Sequence, residues 1–135
     1  MNTKIRYKII ECVYRNTRGY AGLRYRTVLL TNGKLSEDEV IEQLSKQTGV
    51  KETKLGFILD ELRDIITRKC LEGYIVSVPR IGSFRISSKS VAVTDEKKAG
   101  KAAIRSLSIN YLPDTRIAKD VHVQNVIFKE EKDGQ

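Results

Sequence analysis

Tryptophan is absent from the 135 residues, and histidine, cysteine and proline are scarce: one His, two Cys and two Pro. Each scarcity closes off a kind of chemistry. His122 is an isolated histidine in a strand-like pattern, the setting of a structural or surface residue rather than of a general base. Cys12 and Cys70 lie far apart with no metal-type spacing between them, and Cys70 falls on the apolar stripe of a predicted helix, where a buried reduced thiol is expected. No acidic pair has a His or Cys beside it at ligand spacing. No glycine-rich loop carries nucleotide-binding spacing. No apolar run reaches the length of a membrane span, and the first residues, Met-Asn-Thr-Lys-Ile-Arg-Tyr-Lys, contain no apolar core of a secretory leader. The expectation is a cytoplasmic protein without an enzymatic centre, cofactor, metal, small-molecule substrate or membrane partner.

What the sequence does contain is apolar patterning and positive charge. Hydrophobic residues make up 40% of the chain, enough to bury a core, and the formal net charge is +8. The charge is segregated. Residues 1–33 hold seven bases against one acid, residues 34–75 seven against nine, residues 76–119 nine against three, and residues 120–135 two against four. The predicted strands are therefore basic and the predicted helices are not, a distribution suited to a polyanionic partner.

Residues 4–14 alternate as a strand, with Ile5, Tyr7, Ile9 and Val13 on one face and Lys4, Arg6 and Lys8 on the other. Residues 15–22 are rich in turn formers, and residues 23–30 alternate again, with Leu23, Tyr25, Thr27 and Leu29 on one face and Arg24 and Arg26 on the other. Antiparallel pairing of these two runs would gather five bases on one face. Ser36 followed by Glu39 has the spacing of a capping box and opens a short helix whose buried stripe would be Val40, Ile41 and Leu44; Gly49 ends it. A long helix over 52–72 carries Leu55, Ile58, Leu59, Leu62, Ile65, Ile66 and Cys70 at three- and four-residue steps. That face is too wide for one short helix and a sheet to cover, which predicts a homodimer. Acids elsewhere on the helices read as ion-pair partners of Lys and Arg, and the tyrosines, Tyr7, Tyr14, Tyr20, Tyr25, Tyr74 and Tyr111, as strand residues with wet hydroxyls. Gly73 ends the long helix, a strand follows over 74–78, Pro79 and Gly82 reverse the chain, and a second strand starts at Ser83. Thr94–Ile104 reads as a short helix or basic loop. Val121, Val123, Val126 and Phe128 predict a last strand able to join the N-terminal pair, and residues 129–135 a solvated tail.

The stretch Gly73 to Ile86, closing on Ile81-Gly82-Ser83-Phe84, resembles the hairpin of the HU/IHF family of histone-like bacterial DNA-binding proteins. From Leu35 to Ile86 the order of elements matches that family's core without an insertion. Asn110-Tyr111-Leu112-Pro113-Asp114-Thr115-Arg116 resembles its closing segment, in which a strand ends at a proline and a short helix follows. The resemblance covers residues 35–121. Residues 1–34 are similar to the extra N-terminal strand pair of one HU-like subgroup.

The resemblance implies an α+β, HU/IHF-like fold: short helix, long helix, β-hairpin with an arm-like segment and C-terminal short helix, plus an N-terminal β extension. It implies three parts: residues 1–34 packed on the core, an HU-like DNA-binding domain over 35–121, and a strand and tail over 122–135. It further implies an architectural, nucleoid-associated homodimer that holds double-stranded DNA with little dependence on sequence. The DNA contacts would be Arg80 at the hairpin turn, Arg85 and Lys89 at the start of the arm, Lys97, Lys98 and Lys101 near its tip, Arg105 on the return, and Arg116 and Lys119 flanking the saddle. The chain departs from the family in several respects that bear on mechanism: Leu112 and Thr115 stand where the family's closing segment has lysines, and Ser87 and Ser88 start the arm where the family often has charged residues. The family's arm tip carries a proline that wedges between base pairs, and no proline lies between Pro79 and Pro113. The alternative is an HU-fold structural or protein-interaction module that has lost DNA bending.

Overall fold

The computed structural model describes residues 3–19 and 21–132 and is of the α+β class. The chain divides into two compact units, one made of residues 1–36 with 120–135 and the other of residues 37–119.

The first unit is a three-stranded sheet. Strand β1 (Lys4–Arg15) pairs antiparallel with β2 (Ala21–Leu29), from Tyr7 opposite Leu29 to Arg15 opposite Ala21. Strand β6 (Ile127–Glu130) adds to the other edge of β1 in parallel, from Lys4 beside Ile127 to Tyr7 beside Glu130. The sheet order is thus β2-β1-β6. Two details differ from what the sequence predicts. Val121 and Val123 are not in a strand. Val123–Asn125 forms a single 3₁₀ turn because His122 Nδ1 accepts from the Gln124 N–H at 3.2 Å, and Asn125 Nδ2 donates to the Asp120 carbonyl at 3.0 Å. These local bonds compete with extension. Lys129 and Glu130, expected in a solvated tail, belong to β6, and the Glu131 N–H extends the ladder to the Tyr7 carbonyl at 2.8 Å. The rest of that tail from Asp133, Tyr20 and the side chain of Tyr14 lie outside the described residues.

The second unit begins with helices α1 (Glu37–Thr48) and α2 (Glu52–Leu71). Gly49 closes α1 at φ 76°, its N–H donating to the Ser45 carbonyl at 2.8 Å. The end of α2 is a Schellman cap: the Gly73 N–H donates to Cys70 O and the Tyr74 N–H to Lys69 O, both at 3.0 Å, with Gly73 at φ 94°. Glu42–Lys46 and Lys69–Glu72 ion pairs at 3.0 Å, with Arg63 near Asp60 and Asp64, occupy exposed helix surface as the charge spacing predicts.

A second three-stranded sheet follows, in the order β3-β4-β5, from β3 (Val76–Val78), β4 (Gly82–Ser90) and β5 (Ile104–Pro113). Strand β3 is shorter than the expected 74–78 because the Schellman cap holds Tyr74. The connection from Val78 to Ile81 is a turn closed by Ile81 N–H to Val78 O at 3.2 Å, with Pro79 in its second position and Arg80 at φ 68° in its third. Gly82 is indispensable. Its φ is 148°, and a Cβ there would collide with the Leu112 carbonyl oxygen and come within 2.8 Å of the Tyr111 ring. The Tyr111 hydroxyl crosses the sheet to donate to Ile81 O at 2.7 Å, and the Asp114 N–H donates to the same carbonyl at 3.0 Å, so three chain segments are tied at this corner. Helix α3 (Thr115–Asp120) then starts under Asp114, whose Oδ2 accepts from the Arg116 N–H at 3.2 Å.

Val76, Phe84, Ile86, Ile109 and Tyr111 share the apolar face of this sheet, with the Phe84 and Tyr111 rings 5.2 Å apart. Helix α2 backs it at Cys70, which is 2% exposed and whose thiol lies 3.6 Å from Phe84 O. Leu55, Cys70, Val78 and Ala103 are the buried hydrophobic residues among those described. Much of the predicted helix core is not covered: Val40 is 47%, Ile58 48% and Ile65 43% exposed, and Ile41, Leu44, Leu62 and Ile66 are half-buried.

Candidate nucleic-acid interface

Strands β4 and β5 form a long hairpin whose two faces differ in chemistry. The cross-strand pairs Arg85–Asn110, Ser87–Ser108 and Lys89–Ser106 lie on the face opposite Phe84 and Tyr111. Ser77 and Ser83 extend it across β3. Hydroxyls bridge the strands at 3.2 Å between Ser77 and Ser83 and at 2.9 Å between Ser87 and Ser108. Short hydroxyl side chains flanking Arg85 and Lys89 leave those two bases the longest groups on β4's polar face. Reasoning from sequence names the two bases but misses the serine and asparagine set. The signal is there, in the period-two run of Ser83, Arg85, Ser87 and Lys89 and in Ser106, Ser108 and Asn110.

The arm does not run on as a plain ribbon. Lys89 pairs with Ser106 but Ser90 pairs with Ile104, so Arg105 is the extra residue of a β-bulge, which bends the strand and redirects the side chain. Beyond the bulge, Val91 N–H to Ala103 O at 2.9 Å closes the base of the tip. The tip, expected as a short helix or basic loop, contains two separate 3₁₀ turns, Glu96–Lys98 and Lys101–Ala103. Asp95 caps the first by accepting from the Lys97 N–H at 3.0 Å, and Gly100 at φ 96° separates the two. Lys97, Lys98 and Lys101 thus lie together at the far end of the hairpin, all exposed. Val91, Val93 and Ile104, 45%, 39% and 45% exposed, are the apolar residues there.

The remaining candidates are at the other end of the hairpin. Arg80 occupies the β3–β4 turn, and Arg116 and Lys119 are on α3, beyond Pro113. The nine candidates therefore form a tip group, a strand group and a corner group. All three belong to the second unit. Among the described residues, no cluster of three or more His, Cys, Asp or Glu could hold a metal, and no helix is long and apolar enough to cross a membrane.

Comparison with known proteins places the fold. No curated protein matches the sequence. A solved structure from Bacteroides vulgatus, described as that of a "putative bacterial DNA binding protein", superposes with a TM-score of 0.70 over 98% of this chain at 10% identity, a likeness of fold. This chain spans 51% of that one. A profile of HU domains fused to a winged helix-turn-helix, an Ig or a glycine-rich motif matches residues 4–132, nearly the whole chain, and the protein belongs to this HU-HIG family.

Proposed function

We propose that the protein is an HU-like architectural DNA-binding protein that holds duplex DNA by its phosphates, largely without regard to sequence, in the bacterial nucleoid. The observation that carries this reading is the β4–β5 hairpin: a polar face bearing Arg85 and Lys89 leads through the Arg105 bulge to a tip bearing Lys97, Lys98 and Lys101. Bases on a protruding hairpin track a groove and neutralise its phosphates. Arg80, Arg116 and Lys119 would meet the duplex at the base of the hairpin. Residues 35–121 would form the DNA-binding part, with residues 1–34 as an extension packed on it and residues 122–135 as the strand and tail that complete the extension. The active species would be a homodimer, since α2 leaves Ile58 and Ile65 exposed and Leu62 half-covered in a single chain. Nothing in this scheme calls for catalysis.

The test is binding to a duplex of arbitrary sequence over a salt series. Replacing Lys97, Lys98 and Lys101 together by Ala should lower the magnitude of the slope of log affinity against log salt by roughly 0.9 for each phosphate that the arm no longer neutralises. The same substitutions should leave the melting temperature nearly unchanged, because exposed charges contribute little to folding. An unchanged slope would remove the arm from the mechanism. A second reading, an HU-fold interaction module without DNA bending, draws on the absence of proline from the arm. Bending by the wild type that is abolished on replacing Val91, Val93 or Ile104 would argue for apolar wedges in place of that proline.

A further inference from the structure

We infer that the first unit carries a second phosphate-binding surface, on the face of the β2-β1-β6 sheet opposite Tyr25. This rests on the proposal that the protein binds DNA, and adds a site remote in sequence from the arm. The pairing registers place Lys4, Arg6 and Lys8 of β1, Arg24 and Arg26 of β2, and Lys129 of β6 on one face. Lys129 joins the set only because β6 pairs in parallel with β1, putting it beside Arg6. The acids of these strands, Glu11 and Glu130, are both on the other face, with Tyr7, Ile9, Val13, Leu23, Tyr25 and Leu29. Six bases therefore share a face to which the three strands contribute no carboxylate.

The geometry suits a regular polyanion. Alternate residues on a strand stand about 7 Å apart and neighbouring strands about 5 Å apart. Lys4, Arg6 and Lys8 therefore follow one another along β1 with Lys129 beside Arg6, and Arg26 and Arg24, opposite Ile10 and Cys12, continue the row on β2 at a spacing comparable to that of successive phosphates along a nucleic-acid strand. Arg6 is fixed in place. Its Nε and Nη2 donate to Asn32 Oδ1 at 3.2 and 3.0 Å, Nη2 donates also to Thr31 O at 3.1 Å, and Nη1 lies 4.0 Å from Glu131 Oε1. It serves to hold the edge loop. Lys4, Lys8 and Lys129 are exposed beside it, and Arg26 and Arg24 are exposed farther along the sheet, on the face that also holds the half-buried Ile10, Cys12 and Val28. Their aliphatic stems can cover that apolar floor while the charges point outward. A face kept basic merely for solubility would be expected to mix signs along its strands; here the three strands contribute bases alone, and the carboxylate near them, Glu131 just past β6, lies against Arg6. Nucleic-acid backbone fits better than an acidic protein, because a row of like charges rewards a ligand with evenly spaced charges along its length.

The experiment uses the full chain, a fluorescent duplex of arbitrary sequence and a salt series. In one variant Lys8, Arg24 and Arg26 are replaced by Ala; the arm variant serves in parallel. The face variant should reduce the magnitude of the salt slope by roughly 0.9 per phosphate left without its base, and the two sets should combine additively. Amide exchange over β1 and β2 checks that the sheet remains folded. If the Ala variant unfolds, Lys8→Glu alone decides, since one exposed reversal should weaken binding without melting the sheet. Arg24→Lys with Arg26→Lys should retain the wild-type slope, because charge and not shape is read. A face variant with an unchanged slope beside an arm variant with a reduced one overturns the inference and leaves the arm mechanism standing. The opposite pattern removes the arm and keeps this face. Loss of binding to anionic lipid vesicles without any change in DNA binding counts against the inference, as does a wild-type protein that binds no duplex.

Discussion

The two three-stranded sheets of this protein follow the same alternating pattern and use it differently. In β3-β4-β5 the apolar face is backed by α2 within its own unit, and the polar face is built of hydroxyls bonded across strands, with Arg85 and Lys89 among them. In β2-β1-β6 the polar face is built of cations, and the other face leaves Val13 72%, Tyr25 67% and Leu23 57% exposed. Every buried hydrophobic residue among those described belongs to the second unit. Period two thus dictates only that the faces differ. Serine opposite serine allows short, directional bonds and close approach of another surface. Lysine beside arginine gives long-range attraction that salt weakens. The first arrangement consolidates a hairpin; the second is stable only where the charges are spread over exposed edges or balanced by a ligand.

The largest expected effect tests whether α2 meets more than the second sheet. Leu62 lies half-covered in the middle of its stripe. If two copies join there, Leu62→Glu puts charges into the interface on both sides of a two-fold axis. Sedimentation should then show dissociation or an unfolded chain, whereas the wild type should sediment as a dimer at micromolar concentration. A monomeric wild type at that concentration would mean that the exposed stripe has another use.

Next in size is Gly82→Ala, which strikes the second sheet alone. The new Cβ meets the Leu112 carbonyl, and the φ of 148° is foreign to an L side chain. Backbone of this kind gives way only by breaking the β4–β5 ladder, and the cost should be about 3 kcal/mol or more in urea unfolding. Amide exchange in β1 and β2, whose ladder bonds all run within the first unit, should change far less than exchange in β4 and β5. Equal loss of protection in both sheets would show the two units to be one cooperative structure.

Much of this layout can be read from sequence, for reasons visible in particular residues. Strands β1 and β2 declare themselves because Lys4, Arg6 and Lys8 alternate with Ile5, Tyr7 and Ile9, and Arg24 and Arg26 with Leu23, Tyr25 and Thr27. The end of α2 declares itself because Gly73 is followed by β-branched residues. Elsewhere several local preferences are close in energy. Val121 and Val123 suit a strand, but the bond that the His122 side chain accepts from the Gln124 N–H turns the chain first. Thr94–Ile104 has enough Lys and Ala for a helix, but Gly100 at φ 96° cuts it into two turns. The parallel pairing of β6 with β1 joins segments more than a hundred residues apart, and no local pattern specifies it. So the group at Arg85 and Lys89 is legible as charges, while the bulge that isolates Arg105 and the approach of Lys129 to Arg6 are consequences of register alone.

Arg6→Ala should have a smaller effect, confined to the first sheet. The guanidinium bonds both the Asn32 side chain and the Thr31 carbonyl, pinning the segment after β2 to β1. These bonds are exposed, so removing them should cost about 1 kcal/mol. Faster amide exchange at Leu30, whose N–H donates to Arg6 O at 2.8 Å, would register the loosened edge. Glu131→Gln should do almost nothing, because the Arg6–Glu131 pair is 4.0 Å long and open to solvent.

The smallest effect belongs to the hydroxyl face, and it separates structure from binding there. Ser87 and Ser108 bond each other at 2.9 Å on the exposed side of the hairpin. Water can replace either partner, so Ser87→Ala and Ser108→Ala should each cost no more than about 1 kcal/mol in urea unfolding. Their coupling in a double-mutant cycle should be about 0.5 kcal/mol, because removing the second hydroxyl breaks no further bond. If this face lies against DNA, the double variant should weaken duplex binding while leaving the salt slope unchanged. Hydroxyls donate to phosphate without releasing a counterion of their own, whereas the lysines of the tip do release them. A lowered slope in the serine variant would mean that the substitutions had shifted Arg85 or Lys89, and that the two chemistries of this face cannot be varied independently.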